Sequence, residues 1–438
     1  MRLRFGSRPV LIIASPPAAE ECFTRNDIIL ASRPLLISGK YFDYGQTTLG
    51  SAPYGRLWRD LRRVTTLELF STTKLRAYMG VRQDESRSLV TSLFQDAGKK
   101  DFARVELRSR IKGLSLNIVM RVIAGKRFYG REVEDSEEAN KFMNIISDVF
   151  EICGASNLGD FVPFLQWIDF QGLEKRLSKL QTENDRFSQI LIEERRRKRR
   201  NSDTEANTFI DAMLSLQESE PEYYTDDIIK GNMLQLVLAG TDTSSVTIEW
   251  AMSLLLNHPH VLEKARVEID NHIRHERMVQ ETDLPNLPYI QFIVNETLRL
   301  FPAAPLLLPH EPPEDCTIGG FNVSRGTMVL VNAWAIHRDP KVWDDPLSFK
   351  PERFEGVGNE GYRFIPFGMG RRQCPGLGLA HRVVELAVAS LIQCFEWERV
   401  GEELVGLSEG KGLTMPKLEP LEAMCRARES MSRVLMEL

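Results

Sequence analysis

The chain has 438 residues, of which 42% are hydrophobic and 27% are charged, and its formal net charge is -5 at pH 7. This composition is typical of a globular protein with a large core, and the acidic balance argues against nucleic acid as a partner. The six cysteines are scattered without C-x-x-C pairs, which indicates reduced thiols and a cytosolic environment.

The secondary-structure pattern is mainly α with a small β portion. The opening RLRFGSRPVLIIAS, residues 2–15, predicts two short strands around a Gly-Ser-Arg-Pro turn, and a second β signal runs from Thr317 to Trp334. Apolar residues recur at helical spacing in residues 259–277, 290–300 and 377–395. The length would allow two or three domains at ~150 residues each, so the motifs have to decide the domain count.

Membrane insertion has little support in the sequence. No run of about 18 uncharged apolar residues is present, and the N-terminus lacks the apolar stretch of a signal peptide. The longest apolar candidate, from Met233 to Leu256, is interrupted by Asp242 and Glu249, which would be costly in a bilayer. We therefore expect a buried helix there and no transmembrane segment.

Two polar segments are predicted to have no binding role. The basic run from Glu193 to Asn201 predicts a solvated helix end that continues into a mobile loop, since no aromatic residues alternate with its charges. Residues 356–361 fit the G-x-G-x-x-G pattern, but no strand precedes them, so they predict a flexible loop.

A glycine-rich stretch, residues 364–378, delivers one cysteine to the start of a long apolar helix. Gly368 and Gly370 can adopt positive φ in a tight turn, and Pro375 suits the first position of the helix. Gly376 and Gly378 would let a flat cofactor approach the backbone.

Cys374 in this stretch is predicted to be a metal-binding thiolate. A helix N-terminus and the N–H groups of a loop favour the anion of sulfur, and Arg371 and Arg372 add positive charge nearby. The remaining cysteines are expected to be inert core residues: Cys22, Cys153, Cys316, Cys394 and Cys425.

This stretch resembles the F-x-x-G-x-R-x-C-x-G haem-binding signature of the cytochrome P-450 superfamily at Phe367, Gly370, Arg372, Cys374 and Gly376. The resemblance implies a single-domain cytochrome P-450 fold over residues 1–438, with Cys374 as the axial iron ligand of haem b. It places Phe367 and Gly368 beside the haem and Arg372 on a haem propionate. It also implies dioxygen as a substrate and electrons from NADPH through NADPH-cytochrome P-450 reductase.

A second resemblance concerns Glu296 and Arg299, which share one helical face, and Arg353 further along the chain. A Glu-x-x-Arg pair alone is usually a surface ion pair. Here the three residues resemble the Glu-Arg-Arg structural triad of the superfamily, which implies that they hold the haem-binding core.

The polar residues 239–244, AGTDTS, interrupt an apolar helix. One interpretation is a satisfied kink, in which a threonine hydroxyl bonds backward to a carbonyl. The superfamily has a similar pattern on its distal helix, which implies that Asp242 and Thr243 relay protons to dioxygen and that Gly240 leaves room for it.

Three more residues are expected at the propionates by resemblance. Trp58 and Arg62 resemble a W-x-x-x-R element, and His310 follows the Glu-x-x-Arg helix where relatives place a histidine or arginine. The basic cluster of Arg56, Arg59, Arg62 and Arg63 would either meet an acidic reductase or form a solvated helix face.

The segments AGTDTSSVTIEWAMSLLLNHP, DLPNLPYIQFIVNETLRL and KGLTMPKLEPLEAMCRAR are similar to the plant family that contains isoflavone hydroxylases. That resemblance implies hydroxylation, or closure of a methylenedioxy bridge, on an apolar aromatic metabolite such as a flavonoid, isoflavonoid or lignan. The expected substrate pocket is apolar and lined by Leu236, Ala239, Gly240, Ala304, Leu306, Leu307, Leu308 and Leu413.

Two alternatives remain open on the sequence. One is a dioxygen-independent haem-thiolate rearrangement, against which Asp242 and Thr243 argue. The other is an inactive haem-binding product of a truncated gene, because relatives begin with a membrane helix on the cytosolic face of the endoplasmic reticulum. We expect this chain to lack that anchor and to attach to the membrane peripherally.

Overall fold

The computed structural model describes residues 1–97, 101–130, 137–154, 157–162, 164–165, 169, 172–201, 208–356, 358 and 360–438. Helices account for 58% of the structure and strands for 9%, which confirms a mainly α fold with a small β portion. Most of the loop predicted after Arg200 lies outside the described residues, as do residues 357 and 359 of the G-x-G-x-x-G segment.

The strands form three small sheets. Strands β1 (Arg2–Phe5) and β2 (Arg8–Ile13) pair antiparallel around the predicted turn, and β2 pairs parallel with β6 (Met328–Val331). Strand β8 (Glu422–Ala427) lies between β3 (Ala103–Glu106) and β7 (Phe395–Glu398). Strands β4 (Cys316–Ile318) and β5 (Phe321–Val323) form a hairpin. Both predicted β regions are therefore confirmed.

Several helices of the described residues begin at, or directly after, a proline, serine, threonine or glycine. Their bounds are α1 Pro16–Phe23, α2 Ile37–Phe42, α3 Arg56–Thr65, α4 Thr72–Ala77, α5 Met79–Ala97, α6 Arg108–Ala124, α7 Glu137–Gly154, α8 Leu173–Arg200, α9 Phe209–Ser219, α10 Asp226–Asn257, α11 Pro259–Ile273, α12 Pro288–Leu300, α13 Ala333–Ile336, α14 Leu377–Cys394 and α15 Ser432–Met436.

Helix α10 runs through the middle of the fold, packed against α6, α12 and α14. Thr225 caps its first turn by accepting a hydrogen bond from the Ile228 N–H group. Glu249 is buried in its apolar half, where both carboxylate oxygens accept from Arg108 Nε at 3.0 Å. Burial raises the pKa of Glu249, and Arg108 opposes that shift. The prediction of a buried helix from Met233 to Leu256 is therefore confirmed.

One described helix, α14, is long and apolar enough to cross a membrane by length and composition. Two thirds of it (67%) is buried inside the protein, where it packs against α5, α10 and α12. It contains Arg382 and Glu385, which is why no uncharged run appears in the sequence.

Trp250 on α10 connects the core to the C-terminal loop. Its ring stacks on Phe301 with centroids 3.9 Å apart, and its Nε1 donates to the Met415 carbonyl at 2.9 Å. We expect Trp250→Phe to lower the free energy of unfolding by about 1–3 kcal/mol, because it leaves the buried Met415 carbonyl without a donor. Denaturant unfolding measures the change.

The matched control for this variant is Trp334→Phe, whose Nε1 bonds the Glu409 carboxylate at an exposed position. It should cost less than Trp250→Phe. Equal losses of stability in the two variants would contradict the assignment.

Candidate functional site

The cysteine loop is closed by two backbone hydrogen bonds. The Gly368 N–H donates to the Ile365 carbonyl at 3.1 Å, and the Cys374 N–H donates to the Phe367 carbonyl at 2.9 Å. Gly368 and Gly370 have φ values of 65° and 68°, so both predicted positive-φ positions are confirmed. These bonds fix the backbone that carries Cys374.

The helix after the loop begins later than the sequence suggested. Its first residue is Leu377 and Gly376 is the N-cap, so Cys374 precedes the helix by three positions. The expectation that Pro375 occupies the first helical position is wrong. Cys374 nevertheless lies within reach of N–H groups at the helix start, since Gly376 and Leu377 donate to its sulfur.

The glycines of the loop lie close to side chains from other parts of the chain. A Cβ at Gly376 would lie 3.6 Å from Phe70, and one at Gly378 would lie 3.4 Å from Leu75. A Cβ at Gly370 would lie 2.4 Å from the Asp27 carboxylate, so a side chain at this position would force Asp27 to move. A Cβ at Gly376 or Gly378 would make only ordinary contacts, so the approach of a flat cofactor to these two glycines stays a prediction.

Cys374 lies deep in the protein, yet its surface is accessible. Both properties hold for a thiol in the wall of an interior cavity. Burial raises the pKa of Cys374, while the N–H groups of Gly376 and Leu377 and the charge of Arg62 act in the opposite direction. These are the groups that favour the thiolate.

The positive charge next to the sulfur comes from Arg62 and not from the two arginines that precede it. Arg371 pairs with Asp27, with Nε 3.2 Å from the carboxylate. Arg372 turns away to backbone carbonyl groups, among them that of Leu49 at 3.0 Å. Arg62 lies on α3 and donates to the Gln373 carbonyl at 2.7 Å. The prediction that Arg371 and Arg372 place positive charge beside the sulfur is wrong, because residues distant in the sequence bind both guanidinium groups.

Three of the predicted propionate residues lie together beside the loop. The Arg372 guanidinium lies over the Trp58 ring, 4.6 Å from its centroid. His310 is buried, and burial together with the charges of Arg33 and Arg372 lowers its pKa, which keeps it neutral. Its backbone pairs with Val329 of β6.

Sequence reasoning missed Arg33, a half-buried member of the same group. It donates to the carbonyls of Leu308 at 2.8 Å and Pro309 at 2.7 Å. Burial and the charge of Arg372 lower its pKa to about 9. Its only local signal is the tripeptide Ser-Arg-Pro, which is too common to indicate a site.

No ion pair with a carboxylate joins Arg33, Arg62 or Arg372 within the part of the chain that the structure describes. Buried guanidinium groups are costly when no anion balances them. The cluster therefore fits the anionic edge of a bound group, and the carboxylates of a haem would supply such an edge.

The Glu-Arg-Arg residues meet as the resemblance implied. Glu296 and Arg299 are fully buried and form a two-point ion pair, with N–O distances of 2.6 and 2.8 Å. Arg353 Nε lies 3.1 Å from the same carboxylate, and the Lys350 N–H donates to it at 2.9 Å. The two guanidinium groups also bond backbone carbonyls of residues 337–348.

Thr243 and Asp242, the two residues of α10 predicted to relay protons, contact different neighbours. The Thr243 hydroxyl donates back to the Ala239 carbonyl at 2.6 Å, as the helix-kink interpretation predicted. Ala239 is exposed although it lies inside the fold. Asp242 is buried and accepts a hydrogen bond from Thr414, and Lys112 of α6 lies 3.7 Å from its other oxygen. Thr414 and Lys112 were not predicted.

Gly240 has a packing role. A Cβ at this position would lie 2.7 Å from a methyl group of Val119 on α6, so glycine permits the close approach of α6 and α10. A side chain at Gly240 would point toward α6, and the roles of Gly240 in lining the pocket and leaving room for dioxygen stay predictions. Leu236 and Ala239 retain accessible surface on α10.

The segments that carry the predicted pocket residues 304–308 and 413 contact each other, and the first of them contacts the cysteine loop. The Met415 N–H donates to the Ala303 carbonyl at 3.0 Å. Leu307 has a positive φ of 52°, and its side chain would lie 3.8 Å from a Cβ placed at Gly368. Residues 303–310 therefore bridge residues 412–415 and the cysteine loop.

Further hydrogen bonds connect these segments to α10 and to residues 47–52. Thr414 bonds Asp242 on α10, and Asn232 on the same helix accepts from the Leu49 N–H at 2.9 Å. Arg372 of the cysteine loop donates to the Leu49 carbonyl. We call these five connected segments the site ring: residues 47–52, α10, 303–310, 364–377 and 412–415.

Accessible apolar side chains occur on the site ring. Leu306, Leu308 and Leu413 are 40%, 48% and 42% exposed, and Ala304 is half-buried. Phe367 is half-buried with its ring 5.4 Å from that of His381. Apolar surface, an accessible thiol and an unbalanced cationic cluster on one ring are the features that a flat apolar group with an anionic edge would need.

The basic face of α3 is divided. Arg56 and Arg63 lie exposed and pair with Asp60, and Arg56 also pairs with Glu220. Arg62 instead points to the cysteine loop. Arg56 and Arg63 therefore form surface ion pairs, while Arg62 belongs to the site.

Comparison with known proteins agrees with this geometry. A family model described as cytochrome P450 matches residues 1–421. Cytochrome P450 81Q32 from Catharanthus roseus is 55% identical, over 99% of this chain and 86% of that protein. Isoflavone 3'-hydroxylase from Medicago truncatula is 53% identical, over 97% of this chain and 85% of that protein. The (+)-piperitol/(+)-sesamin synthase of Sesamum radiatum is 54% identical, over 99% of this chain and 85% of that protein.

A solved structure of a zebrafish cytochrome P450 with progesterone superposes with a TM-score of 0.84 at 25% identity, covering 98% of this chain and 96% of that chain. The fold, the cysteine loop and the family match agree with one another. The chain therefore belongs to the cytochrome P450 family and is a haem-thiolate monooxygenase.

Proposed function

We propose that this enzyme hydroxylates, or closes a methylenedioxy bridge on, an apolar aromatic plant metabolite such as a flavonoid, isoflavonoid or lignan. Dioxygen is the oxidant, and electrons come from NADPH through NADPH-cytochrome P-450 reductase. The observation that carries the proposal is the accessible Cys374 thiol on a ring of apolar residues. The names of the plant relatives, among them isoflavone hydroxylases and a sesamin synthase, support the substrate class.

The proposed cofactor is haem b, with Cys374 as its iron ligand. When bound, a thiolate-ligated haem supplies the activation of dioxygen by favouring O–O cleavage. Arg62, Arg372 and Arg33 would hold the propionates, with Trp58 and the neutral His310 beside them, because the three guanidinium groups have no carboxylate partner among the described residues. Phe367 and Gly368 shape the backbone turn in front of the sulfur.

Thr243 and Asp242 are the proposed proton-delivery residues. The Thr243 hydroxyl lies next to the accessible surface of Ala239 and holds its proton toward the Ala239 carbonyl. Asp242 is joined to the half-buried Lys112 and to Thr414, so it links the site to the outer face of α10. A carboxylate in this position can accept protons from the solvent side and pass them to the hydroxyl.

Substrate recognition is proposed to rest on apolar contact. The accessible side chains of Leu306, Leu308 and Leu413 offer no partner to a charged group, so a polyanion would lose its hydration without compensation. The two wall segments are fixed to each other by the bond between Met415 and Ala303. A flat, weakly polar molecule fits this surface best.

The location that goes with this function is the cytosolic face of the endoplasmic reticulum membrane, where the reductase would be met. Plant relatives of the same family support it.

Replacement of Cys374 tests the iron ligand. We expect Cys374→Ala to abolish the red-shifted Soret band of the reduced carbon monoxide complex, because sulfur is lost from the metal. The control is Cys153→Ala, a thiol on α7 away from the site. A red-shifted band that persists in Cys374→Ala would overturn the assignment.

Replacement of Thr243 tests proton delivery. Thr243→Ala should bind haem normally, but product per NADPH should fall by roughly tenfold or more with a matching rise in peroxide, since positioned proton donors contribute on the order of 10²–10⁴-fold. Thr247→Ala removes a similar backward hydrogen bond one turn later and should stay coupled. Full coupling in Thr243→Ala would contradict the role.

The substrate class is tested by mass spectrometry of products from a panel of phenolic compounds with the wild-type enzyme, reductase and NADPH. Leu306→Glu should then raise the Kd of an accepted flavonoid-sized phenolic by roughly tenfold or more, measured by the Soret shift on binding, because a charge enters the apolar wall. Leu404→Glu, at a residue 67% exposed, is the control. Turnover of highly charged compounds alone would refute the proposed pocket.

A further inference from the structure

His337, directly after α13, is a buried histidine that the site described above does not use. It is 0% exposed, and its ring lies 5.5 Å from the ring of Phe364. Phe364 is the residue at which the cysteine loop begins. His337 therefore lies between the Glu-Arg-Arg residues and the loop that carries Cys374.

Two hydrogen bonds make this residue a link. Its carbonyl accepts from Arg299 Nη1 at 2.7 Å, and its Nε2 accepts from the Ile365 N–H at 2.9 Å. The Ile365 carbonyl in turn accepts from Gly368 in the turn before Cys374. The buried ion pair is thus connected to the cysteine loop through one residue, whose backbone carbonyl bonds Arg299 and whose ring bonds Ile365.

The protonation state of His337 suits an acceptor. Burial, and to a lesser degree the charge of Arg299, lower its pKa to about 3, so the ring is neutral at physiological pH. A neutral ring that accepts at Nε2 carries its proton on Nδ1. Nδ1 has no hydrogen-bond partner among the described residues. The ring therefore has one unpaired donor, Nδ1–H, and one used acceptor, the Nε2 atom that receives the Ile365 N–H.

We propose that His337 is a positioning residue for the Cys374 thiolate, acting through the Nε2 acceptor that fixes the start of the cysteine loop to the Glu-Arg-Arg residues. Without that acceptor the buried Ile365 N–H loses its partner. Residues 364–368 then shift, and with them the Phe367 carbonyl that receives the Cys374 N–H. The inference rests on Cys374 as the iron ligand.

The experiment compares two variants of similar size. In His337→Gln the side-chain amide oxygen can reach the position of Nε2 and accept from Ile365, whereas His337→Leu has no acceptor. The measurement is the ratio of the red-shifted Soret band to the unshifted band in the reduced carbon monoxide complex, at equal haem content. We expect a ratio near wild type for glutamine and a fall of roughly tenfold for leucine.

Ser390 lies on α14, the helix that follows the loop, and Ser390→Ala is the matched control because it removes a buried hydrogen bond of 2.9 Å to Ser86 on α5. It should keep the wild-type ratio, and far-UV circular dichroism should be unchanged in all three variants. A wild-type ratio in His337→Leu would overturn the inference. So would a fall that glutamine does not rescue, a similar fall in Ser390→Ala, or a loss of helix signal. Absence of the red-shifted band in the wild type would instead overturn the Cys374 assignment itself.

Discussion

The buried carboxylate of Glu296 is the interaction on which the haem-side half of the molecule depends. It receives Arg299, Arg353 and the Lys350 N–H, all within 3.1 Å. Residues 337–354 contain no long helix, and several of their backbone carbonyls find donors in the two guanidinium groups. Removing one member of such a buried pair typically costs about 3–5 kcal/mol, because it leaves a charge without a partner.

The cysteine loop begins ten residues after this segment, and its position follows from it. A loop of glycines has little intrinsic preference for one conformation, so external contacts must define it. Asp27 occupies the space that a side chain at Gly370 would need, and Arg62 fixes the Gln373 carbonyl. Cys374 is thereby presented at the edge of a cavity while its N–H group stays bonded to the Phe367 carbonyl.

Helix α10 serves both the core and the site. Its second half is buried around Trp250, and the boundary between its two halves carries the accessible Ala239 and the Thr243 hydroxyl. Asp242 lies between the two halves and is bonded to Thr414 in the pocket wall. The same helix therefore connects the proposed proton-delivery residues to the proposed pocket wall, so a change in that wall reaches Asp242 directly.

Local sequence determined a large part of this protein. The positive φ values at Gly368 and Gly370, the strands on either side of Gly6, and the burial of the helix around Glu249 all follow from residue type and spacing over a few positions. The three-residue spacing of Glu296 and Arg299 places both on one helical face whatever surrounds them. These features depend on backbone geometry, which short stretches specify.

Tertiary structure decided which partners the charged and small residues find. Arg371 and Arg372 were expected beside the sulfur, but Asp27 and distant carbonyls attract them, and Arg62 takes that place. Gly240 faces α6, and Arg33 joins the cationic cluster from a part of the chain that carries no motif. Spacing along the chain does not encode these choices, because each depends on which residue from elsewhere in the sequence occupies the neighbouring space once the helices have packed.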